Sequence, residues 1–493
     1  MDRSKQRRMY INMPMLLRVM GWLLYIEAVF MLIPLITCLI YDEPDYMSFA
    51  IAIVITVVAG ILMTTLIQPE RTEMGKREGF LLTAQVWVVF SFFGMIPFLL
   101  CNGSISVSDA FFEAMSGFTT TGASTMPQIE HLSKGILLWR CLMQWIGGMG
   151  IILFTLAVVP MLNSSGGMQM FNAEVTGITH EKLRPRISQT AKRLWGMYIF
   201  LTAMLAVLLW LGPMDTFESI CHAFSTISTG GLSTANGSIA SFNSLYVDVV
   251  ITVFMFLGGV NFVLLIQALS GKPQAIVKND VFKVYVGIIL VMSVLFVIAI
   301  LCRGQYTGWK SITIDPVFQI VSVLTSTGYT AVNQESWGPF VLSLIIVMMY
   351  FGACAGSTSG GAKIDRMIFL WKNIRNEIYR CVHPNSVMSV RINDKRMSSE
   401  LVNKVIAFLC IYTLLILLGG TMLTALNMPL VDSFYSSFSA ISNTGLSASI
   451  TGYGGSFDLV PDLGKWILSF LMLVGRLELF TVLILFTPGF WRK

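Results

Sequence analysis

The stretch "SGFTTTGAST", residues 116–125, carries no charge, is rich in hydroxyls, and lies between two long apolar runs. Three other stretches share its frame. Aligned on one glycine each, the four read "DAFFEAMSGFTTTGAS" from Asp109, "ESICHAFSTISTGGLS" from Glu218, "DPVFQIVSVLTSTGYT" from Asp315 and "DSFYSSFSAISNTGLS" from Asp432. A carboxylate stands 13 residues before the glycine in each (Gly122, Gly231, Gly328, Gly445). A serine stands six before it (Ser116, Ser225, Ser322, Ser439), and a hydroxyl two after it (Ser124, Ser233, Thr330, Ser447). Ordinary serine and threonine turns on a surface explain one such stretch, not four at one set of offsets.

The surroundings are those of a membrane. The chain has 493 residues, 55% hydrophobic and 12% charged, against roughly 25% charged in soluble proteins. Apolar runs near 20 residues recur, enough to cross a hydrocarbon layer of ~30 Å. They predict spans at about 15–40, 48–67, 80–101, 136–162, 194–213, 244–269, 281–302, 338–371, 404–426 and 465–490. The basic amino terminus leads into the first run with no small-residue cleavage site after it, which predicts an uncleaved span. Alternate loops then hold 24 of the lysines and arginines on one side. The other side has only Lys134, Arg303, Lys310 and Lys465. The excess of Lys and Arg marks the cytoplasmic side, so both termini are expected inside. Charge placed to set topology implies no nucleic-acid binding. The eight cysteines have no CxxC spacing and read as small buried hydrophobes. No HExxH, P-loop or GxSxG motif appears, which argues against an enzyme.

The four stretches all fall in outer loops. A leading acid suits a helix start, where it meets free N–H groups and the positive end of the dipole. The ten or so residues that follow are too few to span, so each predicts a re-entrant helix whose carbonyl end points at the membrane centre. The Ser/Thr-Gly segment then returns outward. Irregular backbone at that depth is tolerated only where it is buried or lines a water-filled path. Four such segments about one axis form a ring of oxygens able to replace an ion's hydration shell.

At these residues the chain resembles the Trk/Ktr/HKT superfamily of cation transporters, and most closely its TrkH-type potassium uptake subunits. The resemblance implies an all-α polytopic membrane protein of four pseudo-symmetric helix–pore-loop–helix repeats after two extra amino-terminal helices. The units would be 1–79 (two spans), 80–193, 194–280, 281–403 (with an intramembrane gating loop) and 404–493. Carried over by position, the K⁺-binding filter centres on Thr121-Gly122, Gly230-Gly231, Thr327-Gly328 and Thr444-Gly445, with Thr120, Thr229, Ser326 and Asn443 as neighbours. Gly230 stands where the other three loops have threonine. Glycine at all four aligned positions favours K⁺ over Na⁺, since plant sodium-transporting relatives tend to have serine in the first loop. The resemblance also implies a homodimer, surrounded by membrane lipid, on a cytoplasmic TrkA-type ring of nucleotide-binding regulatory subunits. K⁺ is then cargo, and no organic cofactor is expected. The basic segments 163–193 and 372–404 are candidate contact surfaces for that ring. Na⁺ or unselective cation transport is the nearest alternative. A proton- or sodium-coupled symporter predicts deep carboxylates, for which only Glu27 and Glu478 qualify.

Two further stretches invite a gating role. "GACAGSTSGGAK", Gly352 to Lys363, interrupts the eighth span with five glycines and makes a poor helix. It is similar to the family's intramembrane gate, and its candidates are Gly352, Gly356, Ser357, Thr358, Ser359, Gly360, Gly361 and Lys363. "LVGRLELF" sets Arg476 and Glu478 inside the last span, where a charge is costly and faces a cavity or a partner. The two sit at i and i+2 and so do not share a helix face. By resemblance Arg476 faces the pore and acts as a barrier to cations. The Gly-Gly pairs in "QWIGGMGI" and "FLGGVNF" predict close helix packing.

Overall fold

A computed structural model describes residues 11–66, 74–101, 103, 105–150, 187–304, 308–386, 388–393, 395–447 and 456–491. Two apolar helices open the chain: α1 (Met13–Ile40) and α2 (Tyr46–Thr65). They pack closely because Gly21 and Gly60 face each other; a Cβ on Gly21 would lie 2.9 Å from the Gly60 carbonyl oxygen. Four units of one plan follow. The first holds α3 (Lys76–Gly94), a short α4 (Val107–Phe118) and α5 (Lys134–Gly148). The second holds α6 (Ile187–Trp210), α7 (Thr216–Ile227) and α8 (Leu245–Gly258), which continues as α9 (Phe262–Leu269). The third holds α10 (Asp280–Arg303), α11 (Asp315–Leu324) and α12 (Pro339–Phe351), then α13 (Ile364–Val382) beyond a loop. The fourth holds α14 (Ser399–Ala425), α15 (Leu430–Ile441) and α16 (Asp462–Arg476). A two-residue hairpin, Arg391–Ile392 with Lys395–Arg396, joins α13 to α14.

The short helices α4, α7, α11 and α15 have 10 to 12 residues. At ~1.5 Å rise per residue that is less than 20 Å, too short to cross. Each packs between the second long helix of its own unit and that of the preceding one. The contacts run α4–α5–α7–α8–α11–α12–α15–α16 and return to α4, a closed ring. Lipid-facing apolar side chains cover the outside of the long helices, such as Leu290, Val291 and Val294 on α10.

Among the described residues six helices are long and apolar enough to cross a membrane, or eight if two bent pairs each count as one. The expected continuous spans 136–162, 244–269 and 465–490 are corrected here, while 338–371 is broken where the sequence reading interrupts it. α5 stops at Gly148, and 151–162 lies outside the described residues. α8 turns by 104° into α9, and α16 turns by 111° into Phe480–Phe486. α12 gives way to an irregular loop at Gly352. The breaks after α5 and α16 come where these helices meet the ends of short ones: a Cβ on Gly147 would sit 1.8 Å from the Phe118 carbonyl oxygen, and one on Gly475 2.0 Å from that of Ile441. The cysteines also depart from expectation. Cys302, Cys381 and Cys410 are exposed while the other five are buried. For Cys302 and Cys410, on apolar helices, a thiol facing lipid costs little because it behaves as a small hydrophobe.

Candidate ion-conducting site

The leading acids start the short helices from inside the first turn. Val107, Thr216 and Leu430 are first residues, so Asp109, Glu218 and Asp432 occupy the third position rather than the cap. Ser106 and Asp215 are the caps of α4 and α7, and Asp215 with Glu218 forms a capping box. Asp315 is itself the first residue of α11, running on from a π-helical turn, Lys310–Ile314. Three of the four outer-side basic residues serve this layer. Lys465 pairs with Asp109 at 2.6 Å, Lys310 with Asp248 at 2.7 Å, and Lys134 lies 3.7 Å above the Tyr41 ring.

At the other end the four helices finish alike. The N–H of Thr121, Gly230, Thr327 and Thr444 reaches back to the carbonyl of Ser116, Ser225, Ser322 and Ser439 at 2.8–2.9 Å. The N–H of Thr120, Thr229, Ser326 and Asn443 bonds to the carbonyl three residues back. This pair of bonds is the Schellman motif, whose left-handed residue is usually glycine. Here it is Thr120, Thr229, Ser326 or Asn443, with φ of 53–55°. A left-handed φ on threonine is costly and persists only where its surroundings hold it. The aligned glycines also have positive φ, 73–82°, while the residue between does not. All four loops share this alternation.

The loops then close on one another. A Cβ on Gly122 would lie 2.0 Å from the Gly230 carbonyl oxygen, one on Gly231 1.7 Å from that of Thr327, one on Gly328 2.0 Å from that of Thr444, and one on Gly445 2.2 Å from that of Thr121. Each glycine thus admits the carbonyl of the next loop's preceding residue, and the fourth returns to the first. The expected residues Thr121, Gly122, Gly230, Gly231, Thr327, Gly328, Thr444 and Gly445 are brought together in this ring. An outer recess opens onto it, lined by the four glycines and by Ser124, Ser233, Thr330 and Ser447.

Hydroxyls brace the ring from behind. Thr119 and Thr121, Thr325 and Thr327, and Ser442 and Thr444 pair at 2.8 Å each. Ser116 donates to the Ala123 carbonyl and Ser322 to that of Tyr329. The Asn443 amide donates to Thr121 Oγ1 at 3.0 Å, tying loop four to loop one.

Gly352–Lys363 lies directly beneath. Thr358 Oγ1 donates to the carbonyls of Ile227 and Gly258 at 3.1 and 3.2 Å. The Gly360 N–H donates to Ser326 Oγ at 2.6 Å, and a Cβ on Gly360 would meet the Ser442 carbonyl oxygen at 2.1 Å. The break after α8 pins the other side: Asn261 donates to the Ala355 carbonyl and Phe262 N–H to that of Gly356. Ser357 and Ser359 bond to each other, and Gly361 packs on Gly352. Lys363 turns back into the loop, where its ammonium donates to the Ser359 carbonyl. Arg476 donates to the carbonyls of Thr358, Gly147 and Gly148 at 2.7–3.0 Å. Glu478 instead pairs with Arg366 of α13.

Residues 45–493 match the family model described as "TrkH: Cation transport protein". The chain belongs to the TrkH family. It is 34% identical over 479 residues to the Trk system potassium uptake protein TrkH of Escherichia coli (strain K12), covering 97% of this chain and 99% of that one. It is 33% identical over 494 residues to the Trk system potassium uptake protein TrkH of Halomonas elongata, covering 98% and 100%. The crystal structure of the potassium transporter TrkH from Vibrio parahaemolyticus superposes with a TM-score of 0.89 at 32% identity, over 98% of this chain and all of that one.

Within this TrkH-family fold, several site residues escaped the sequence reading. Glu113 of α4 and Arg140 of α5 form a buried pair at 3.2 Å, and Glu113 also accepts from Ser124 Oγ and Thr125 N–H at 2.6 Å, holding loop one from behind. Two opposite charges inside apolar helices were the available signal. Arg366 and Asn261 offered none, because their partners lie 112 and 94 residues away.

Proposed function

We propose that the chain is a potassium-uptake channel subunit of the cytoplasmic membrane, in which the four loops form one K⁺ filter. The closed ring of glycines, each against the carbonyl of the next loop, carries this reading. Backbone oxygens held in that arrangement can replace the hydration shell of a monovalent cation, which then needs no binding energy from side-chain charge. The potassium uptake named for the relatives supports K⁺ as the cargo. Each inward charge gains ~2.3 kcal/mol per 100 mV of inside-negative potential, so passive uptake suffices.

The gate in this reading is Gly352–Lys363 with Arg476. The loop covers the inner end of the ring, and Arg476 places positive charge against Thr358, where it opposes a cation. Opening requires the loop to leave Ile227, Gly258 and Ser326. Both termini are inside, and the working unit is a homodimer on a TrkA-type regulatory ring, with the basic 372–404 segment as its contact. The candidate surface 163–193 falls, up to residue 186, outside the described residues. The proposed repeat boundaries at 80, 194, 281 and 404 fall one to seven residues after the starts of α3, α6, α10 and α14.

Radioactive Rb⁺ uptake into proteoliposomes, competed by K⁺ or Na⁺, tests the reading. K⁺ should compete far better. Equal competition by Na⁺ in the wild type would sink the selectivity, and uptake driven only by a proton or sodium gradient would replace the channel by a symporter.

A further inference from the structure

The second loop breaks the pattern of the other three, and α5 shows what takes its place. In loops one, three and four the residue before the aligned glycine is threonine, and its hydroxyl pairs at 2.8 Å with the hydroxyl two residues earlier. Loop two has Gly230 there, so Ser228 has no such partner and donates to the Ser225 carbonyl instead. Gly230 is not glycine for its backbone, since its φ is not positive. It is glycine for space: a Cβ would meet the Gln144 carboxamide at 2.3–2.5 Å.

Gln144 is fully buried. Its Nε2 donates to the Gly230 carbonyl at 2.7 Å, the oxygen that packs on Gly122. Its Oε1 accepts from Ser225 Oγ at 2.5 Å and from Leu232 N–H at 3.2 Å. Ser225 is the serine six before the glycine. Its counterparts Ser116 and Ser322 donate to the carbonyl just after their own glycine. One carboxamide therefore intercepts both local contacts of the loop, and it fixes the direction of a ring carbonyl across two units. Gln144 lies one helical turn beyond Arg140, which braces loop one through Glu113. The same helix thus supports two of the four loops.

We propose that Gln144 is a selectivity-determining positioning residue, whose carboxamide replaces the missing threonine side chain of loop two and orients the Gly230 carbonyl toward the ion. This rests on the filter reading above. Exchanging the two residues should convert loop two to the plan of loops one and three. In Gln144→Ala/Gly230→Thr the new hydroxyl can pair with Ser228, and Ser225 is free to donate to the Leu232 carbonyl.

The test is Rb⁺ uptake in proteoliposomes, with Na⁺ and K⁺ competition and detergent-solubilised monodispersity read in parallel. Gln144→Met keeps length and loses the donor. Its preference for K⁺ over Na⁺ should fall roughly fivefold or more, the factor one buried hydrogen bond carries. Gly230→Thr alone should be poorly folded or unselective. The double variant should recover folding and a preference within about twofold of wild type. Wild-type preference in Gln144→Met, or a double variant no better folded and no more selective than Gly230→Thr, overturns the proposal. Failure of the filter reading shows separately, in wild-type protein that Na⁺ competes as well as K⁺.

Discussion

Gly122, like the other three aligned glycines, combines two requirements that only glycine meets. Its φ is +82°, and the space beside its Cα holds the Gly230 carbonyl oxygen. Serine there must displace that oxygen. Gly122→Ser is expected to cost roughly tenfold in K⁺ over Na⁺ preference, equivalent to ~1.4 kcal/mol, read by competition of Rb⁺ uptake. Arg476 has the opposite sign of effect. Its guanidinium bonds three carbonyls contributed by two units, Thr358 on one side and Gly147 and Gly148 on the other. Arg476→Ala removes the bonds to these carbonyls and, in the proposed gate, a positive charge from the path. Uptake by a well-folded variant should rise roughly tenfold; unchanged or slower uptake removes the barrier role.

Among the elements, the intramembrane loop and the α4–α5 pair behave differently. The loop is held to the ring by a few hydrogen bonds, chiefly from Thr358 and to Ser326. Thr358→Val keeps the shape and loses the one hydroxyl proton shared between the two carbonyls, worth about 1 kcal/mol. Basal uptake should increase, by less than in Arg476→Ala, and single-channel recordings should show longer openings. Glu113–Arg140 is a fixture. Both side chains are almost wholly shielded, so removing one partner strands a charge. Arg140→Leu should lose ~3–5 kcal/mol of stability, while Glu113→Leu/Arg140→Leu recovers most of it. Thermal unfolding in detergent distinguishes the two.

For the molecule as a whole, the proposed orientation rests on the charge asymmetry and is open to a direct test. With all native cysteines replaced, a cysteine at the exposed Ser106 should react with an impermeant thiol reagent from outside intact cells. One at the exposed Asn385 should react only after permeabilisation. The reverse pattern would overturn the inside placement of both termini. The four-unit architecture was legible because its signal is local. Each short helix, its acid and its glycine lie within 16 residues, repeated four times. Span ends were less legible. Hydropathy counts apolar length, and the breaks after Gly148 and Arg476 come where Gly147 and Gly475 meet the last carbonyls of α4 and α15, not from a change in composition.

By itself the sequence determined the membrane setting, the four re-entrant helices and the glycines at which the chain turns outward, because apolar length, capping and left-handed φ are decided within a few residues. Only the tertiary structure decided who meets whom: the cyclic order in which each glycine receives its neighbour's carbonyl, the separate partners of Arg476 and Glu478, and Gln144 in the place of a threonine. Those contacts join residues 81 to 329 apart, and packing across units, not local preference, selects them.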